Sequence, residues 1–206
     1  LGLILTEKEK IDEAIMYYER GIKIDPHYAV IYNNLGSIYQ SKKNYEKAEN
    51  YFKKSIDLDS KKPEPQNNLG NLNLALNNHQ KAIACFKNAL VNDPYFFVSH
   101  YNLGIIYKNI GKFDEAKKHL RKAIKLNAHF FTAHRILSQI TKYTTNNEHY
   151  IFLKKNYEDP KIDDTQKAEI AFALGKALED IKDFKKAFQY YKDGNDFRRK
   201  KIPFSI

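Results

Sequence analysis

A period of 34 residues constrains this chain more than any other feature of it. Gly2, Gly36, Gly70 and Gly104 stand 34 residues apart, and each follows a leucine: Leu1, Leu35, Leu69 and Leu103. Ala14, Ala48, Ala82 and Ala116 keep the same spacing, as do the bulky residues four positions further on, Tyr18, Phe52, Phe86 and Leu120. Asp25, Asp59 and Asp93 close the units. A fixed period of this length means one supersecondary unit stacked several times, because a single unit cannot bury its own apolar face.

Within one unit, apolar and small residues fall at helical spacing twice, first Leu35, Gly36 and Tyr39, then Tyr45, Ala48, Phe52 and Ile56. Each unit therefore reads as a pair of short antiparallel helices. Pro26, Pro63 and Pro94 fall at or near the starts of first helices, where a missing backbone donor does no harm, and Asp25 and Asp93 precede two of them. Glycine and alanine let neighbouring helices approach, and the aromatics are expected to fill the wedge between one pair and the next. A large side chain forced in at Ala82 or Gly70 should cost roughly 1 to 3 kcal/mol.

These slots resemble the tetratricopeptide repeat family, whose pattern is Trp-x2-Leu-Gly-x2-Tyr, then Ala-x3-Phe, then Pro. The unit from Ala29 to Lys62 carries Tyr32 in the aromatic slot, then Leu35, Gly36, Tyr39, Ala48 and Phe52, with Ser60 where the proline is expected. The unit from Pro63 departs at Gln66 and Asn73, and the unit from Phe97 has His100 for the aromatic but keeps Leu103, Gly104, Tyr107 and Ala116. The resemblance implies an all-α, right-handed superhelix, an α-solenoid of about five or six antiparallel helix pairs. Residues 1–130 are expected to form the array, its first repeat incomplete, followed by a degenerate repeat with an insertion (131–166) and a terminal helix pair with linker (167–206). After Asn127 the first helix from Phe130 has Ser138 in place of glycine, and no clean second helix follows. The insertion, Thr144 to Asp164, holds an expected helix near Glu148 to Tyr157, stopped by Asp159 and Pro160. The repeat returns with Leu174, Gly175, Ala187 and Tyr191, and the last helix runs to about Arg199.

The stretch from Asp159 to Ile206, with FALGKALED and AFQYYKDGNDFRR, resembles the connector of bacterial proteins in which tetratricopeptide repeats precede a sulfotransferase domain. That resemblance implies a catalytic domain beyond residue 206, using 3′-phosphoadenosine 5′-phosphosulfate as cofactor. The chain itself has no Gly-rich phosphate loop and no nucleophile elbow, so no catalytic residue is assigned in it. Leu1 in place of Met, a first helix without its start, and the apolar Phe204 and Ile206 at the other end lead to the expectation of a fragment.

Composition narrows the partners. The chain has 35 Lys and Arg against 25 Asp and Glu, a net charge of +10. One cysteine, Cys85, excludes an internal disulfide framework. No apolar run approaches the roughly 18 residues that cross a bilayer, so a cytoplasmic protein is expected. The run Arg198, Arg199, Lys200, Lys201 could touch phosphate, yet the basic excess is spread along the sequence. Without a winged helix, zinc finger or base-stacking platform, nucleic acid is not the expected partner.

The expected partner is a protein or peptide. Asn34, Asn68 and Asn102 occur once per unit, just before each repeat leucine. In superhelical tetratricopeptide proteins resembling protein O-glycosyltransferases, such asparagines line the concave surface and clamp an extended peptide backbone. An amide suits that task because it offers a donor and an acceptor together. The alternative is that these side chains bond within their own helix pair or face water. Asn33, Asn67, Asn71, Tyr101, Lys108, Arg135 and Lys142 are the neighbouring inner-face candidates, and the three cations would favour an acidic peptide or a chain carboxylate.

Seven histidines offer no convincing metal-ligand spacing, His129 and His134 being five apart without nearby cysteines. His100 and His134 occupy the aromatic slot of successive repeats and read as helix-packing residues. Cys85, beside Phe86, reads as a small core residue, since the local pattern supplies no histidine or aspartate to activate it.

Overall fold

The computed structural model describes residues 10–200. The expectations attached to Leu1, Gly2, Phe204 and Ile206 lie outside the described residues. Among the described residues every regular element is an α-helix: α1 (Ile11–Ile24), α2 (Ala29–Ser41), α3 (Tyr45–Leu58), α4 (Pro63–Ala75), α5 (His79–Asn92), α6 (Phe97–Asn109), α7 (Phe113–Leu126), α8 (Phe131–Gln139), α9 (Glu148–Tyr157), α10 (Asp164–Ile181) and α11 (Phe184–Arg199). The chain makes two compact units, one through Asn102 and one from Leu103, so the division falls inside α6. The divisions expected near 130 and 166 mark changes in repeat regularity, a different property from packing.

In the first unit α2 pairs with α3 and α4 with α5, while α3 packs on α4. The glycine of each first helix sets the approach. A Cβ at Gly36 would lie 2.5 Å from the Phe52 ring, and one at Gly70 would lie 2.5 Å from the Phe86 ring. The aromatic thus covers the glycine of its own pair, and Phe52 also packs against Leu69 and Leu72 of the next pair, as expected of a residue between pairs. Ala48, Phe52, Leu69 and Leu72 form one buried cluster from α3 and α4.

Short turns join the helices of a pair, and Lys43 and Asn77 occupy the same left-handed position in successive turns, each at φ 59°. Asparagine tolerates that conformation through its short polar side chain, whereas a lysine pays about 1 kcal/mol for its Cβ. Lys43 is exposed. Lys43→Gly is therefore expected to raise the thermal midpoint by about 2 °C. A lower midpoint in a calorimetric scan would mean that the lysine side chain holds the turn.

The second helices α1, α3 and α5 each end on an Asx turn. Asp25, Asp59 and Asp93 accept through Oδ1 from the backbone N–H two residues on, at 2.9, 3.1 and 2.8 Å. Asp25 and Asp93 therefore cap no following helix: α2 and α6 begin at Ala29 and Phe97, and Pro26 and Pro94 sit in the intervening turns. Of the three prolines, only Pro63 opens a helix.

In the second unit Gly104 meets Leu120 and Gly175 meets Tyr191 in the same close geometry. The irregular region is also a helix pair. α8 is cut to 9 residues, and α9 supplies its second helix: the Phe152 ring stacks on His134 at 4.9 Å, and Leu153 is buried with Phe131, Ile170 and Leu174. The helix expected near Glu148 to Tyr157 is present over those residues as α9, separated from α8 by an irregular stretch and not following it directly as in the regular repeats. A capping box at Asp163 and Gln166 then starts α10. The basic excess is also not spread evenly: the first unit has 13 Lys and Arg against 12 Asp and Glu, and the second has 22 against 13.

Candidate functional site

Asn34, Asn68 and Asn102 hold the same position on α2, α4 and α6, and Asn33, Asn67 and Tyr101 precede them. Stacking brings a residue of one first helix beside the residue about 35 positions later. The Asn68 Nδ2 donates to Asn33 Oδ1 at 2.9 Å. The Asn102 Nδ2 donates to Asn67 Oδ1 at 2.9 Å and to Asn71 Oδ1 at 3.1 Å. The Ser99 hydroxyl also donates to Asn67 Oδ1, at 3.0 Å. Asn68 and Asn102 thus bond between successive first helices, and not within their own helix pair.

The two steps of this row differ in burial. Asn67 is 4% exposed and Asn102 is 9% exposed. Both hydrogens of the Asn102 amide are spent, and Asn67 Oδ1 accepts twice, so this step ties α4 to the start of α6. Asn33 and Asn68 are only half-buried. Their single bond leaves the Asn33 Nδ2 hydrogens and the Asn68 Oδ1 uncommitted, a donor and an acceptor of the kind that a peptide group pairs with. Asn34, Asn71 and Tyr101 are half-buried as well. A cavity of about 230 Å³ opens beside Asn33.

The three candidate cations lie in the second unit, and each meets a partner there. Lys108 donates to Gln139 Oε1 at 2.6 Å. Arg135 pairs with Glu169, which also takes Arg198 at 2.9 Å. Lys142 and Lys176 pair with Asp180 at 3.2 and 2.6 Å. Burial pushes the Asp180 carboxyl up, but Lys176, the Tyr143 N–H and Lys142 together outweigh it and hold the group below its ordinary value. Of the C-terminal basic run, Arg198 also lies 4.4 Å over the Phe172 ring and Lys200 pairs with Asp164 at 3.0 Å.

The aromatic slot has a second task beyond packing. The Tyr32 hydroxyl donates to the Pro26 carbonyl at 2.9 Å, His100 Nε2 lies 3.3 Å from the Pro94 carbonyl, and His134 Nε2 lies 3.0 Å from the Ala128 carbonyl. Histidine replaces tyrosine there because both can donate six residues back. His134 continues into a relay that sequence spacing did not expose: its Nδ1 lies 2.8 Å from His149 Nε2, and His149 Nδ1 lies 2.7 Å from the Tyr143 hydroxyl. A proton on His134 Nε2 makes its Nδ1 an acceptor, so His149 donates from Nε2 and accepts the tyrosine hydroxyl at Nδ1. Both rings are thus neutral and fully bonded. Burial lowers His134 to about 4 and His149 to about 3, the latter also repelled by His134 and Arg121.

Among the described residues no group of three or more histidine, cysteine or carboxylate side chains is placed to hold a metal ion. Burial, then Glu49, push the Cys85 thiol up, the wrong direction for a nucleophile. Among the described residues no helix is long and apolar enough to cross a membrane.

The tetratricopeptide repeat model matches residues 1–61, 28–90, 97–130 and 168–200. The last span is the helix pair whose sequence resembled a sulfotransferase connector, and no comparison supports that connector or a catalytic domain. No curated protein matches the chain. Among solved structures, the chain is similar to the Pseudomonas aeruginosa protein pilF, with 19% identity over 100% of this chain and 90% of that one and a TM-score of 0.73. It is also similar to YrrB, described as a TPR protein with an unusual peptide-binding site, at 18% identity over 93% and 88% and a TM-score of 0.56. A third is the first TPR of Spaghetti (RPAP3) bound to an HSP90 peptide, at 21% identity over 54% of this chain and 89% of that one, TM-score 0.52.

Proposed function

The chain belongs to the tetratricopeptide repeat family, and we propose that it works as a protein-interaction scaffold whose first unit holds an extended peptide along α2 and α4. The observation that carries this reading is the Asn33–Asn68 pair, half-buried and bonded once, with a donor and an acceptor left over. The peptide-bound and peptide-binding repeat proteins of similar fold support the same kind of partner. Asn67 and Asn102 serve the site indirectly, by fixing α4 against the start of α6.

Two such hydrogen bonds supply only about 1 to 3 kcal/mol, less than the cost of association, so apolar contacts must provide much of the affinity. Peptides selected on the whole chain from a random-sequence display library give the probe. Asn68→Ala is expected to weaken their binding about fivefold or more in a calorimetric titration, with little change in the thermal midpoint. Unchanged affinity would remove the amide pair from the site.

A further inference from the structure

We propose that the cavity beside Asn33 is a specificity pocket that receives one large apolar side chain of the bound peptide. The inference rests on the peptide reading above and adds what that peptide must contain. The cavity measures about 230 Å³ and lies between the N-terminal turns of α2 and α4, with Ala29, Val30 and Pro65 among its walls and Ser55 of α3 lining it too. Its size decides the class of occupant. A cavity of about 150 Å³ holds benzene, whereas drug-sized ligands occupy pockets of about 300 Å³ and more. A site between those limits takes a part of a larger ligand, of leucine, methionine or phenylalanine size.

Its chemistry agrees. The Ser55 hydroxyl already donates to the Ala29 carbonyl at 2.8 Å, so it asks nothing of an occupant. Val30 is 42% exposed, an apolar wall left facing solvent. The Lys62 and Glu64 side chains complete the lining with opposite charges, which favours a neutral, apolar group over an ion of either sign. Asn33 lines the cavity and also carries the uncommitted Nδ2 hydrogens. A residue whose side chain enters the pocket therefore brings its own backbone carbonyl to the amide pair. That coincidence of an apolar pocket with a side-chain amide donor for a backbone carbonyl is what singles out a peptide.

The test is a double-mutant cycle between the library-selected peptides and the full chain. Alanine is placed at each peptide position in turn, and binding is measured on wild type, Asn68→Ala, Ala29→Leu, which fills the pocket, and Val30→Asp, which charges an already exposed wall. The expected result is one apolar peptide position whose loss weakens wild-type binding about tenfold or more and matters little to either pocket variant. If Asn68→Ala weakens binding while every apolar substitution acts equally on wild type and both pocket variants, the pocket is overturned and the peptide groove stands. If the pocket coupling appears and Asn68→Ala has no effect, the amide pair falls and the pocket stands. Failure of any peptide to be enriched overturns both.

Discussion

Gly70→Leu lowers the thermal midpoint of the chain by about 3 to 10 °C, corresponding to roughly 1 to 3 kcal/mol of overpacking. The reason is local and severe. Even a Cβ at this position would meet the Phe86 ring at 2.5 Å, and Phe86 is 0% exposed. Relief requires α4 and α5 to separate, which opens Phe86 to water, or α4 to shift against α3, which disturbs the cluster of Leu69 and Leu72 with Phe52. Ala84→Leu on the exposed side of α5 is the matched control, expected within about 0.5 kcal/mol of wild type. Equal midpoints for the two variants would mean that the glycine does not set the helix approach.

Acid weakens the second unit through His134 and His149. The sign follows from their lowered values, about 4 and about 3, against an ordinary 6.5. Above pH 6.5 both states are neutral and nothing is lost. As pH falls below that, the unfolded chain takes protons that the folded relay refuses, so stability drops until the folded values are reached. At 1.36 kcal/mol per unit, His134 alone accounts for about 3 kcal/mol across the window from about pH 6.5 to 4. The groups facing the relay strengthen the case: Arg121 and His129 repel a charge there, and Tyr143 donates to it. Thermal midpoints of wild type are expected to fall steeply between pH 6.5 and 4.5, and those of His149→Gln to fall less. Parallel profiles would place the acid sensitivity elsewhere.

Much of this fold is readable from the sequence because repetition averages out local ambiguity. Gly36, Gly70 and Gly104 each predict a close approach, and the residue 16 positions later meets each of them. What could not be read has identifiable physical causes. An aspartate shortly before an apolar run looks the same whether it caps the next helix or closes a turn, and Asp25 and Asp93 do the latter. The insertion at Thr144 to Asp164 breaks the register, so the meeting of His134 with His149 depends on how α9 folds back, which no spacing encodes. The asparagine row is visible in the sequence, but its bonding is not. Asn68 and Asn102 occupy identical slots, yet one is half-buried and bonded once, while the other is buried and spends both hydrogens. The difference comes from Ser99 and Asn71, neighbours that the repeat pattern does not specify.

The side-chain amide resonances of Asn33 and Asn68, followed in the isotope-labelled chain during titration with a library-selected peptide, test the central claim most directly. The account requires those two amides to shift together and saturably, with the Val30 methyls moving alongside them and the buried Asn102 amide nearly still. Saturable binding that leaves Asn33 and Asn68 unmoved would place the peptide elsewhere and contradict the account.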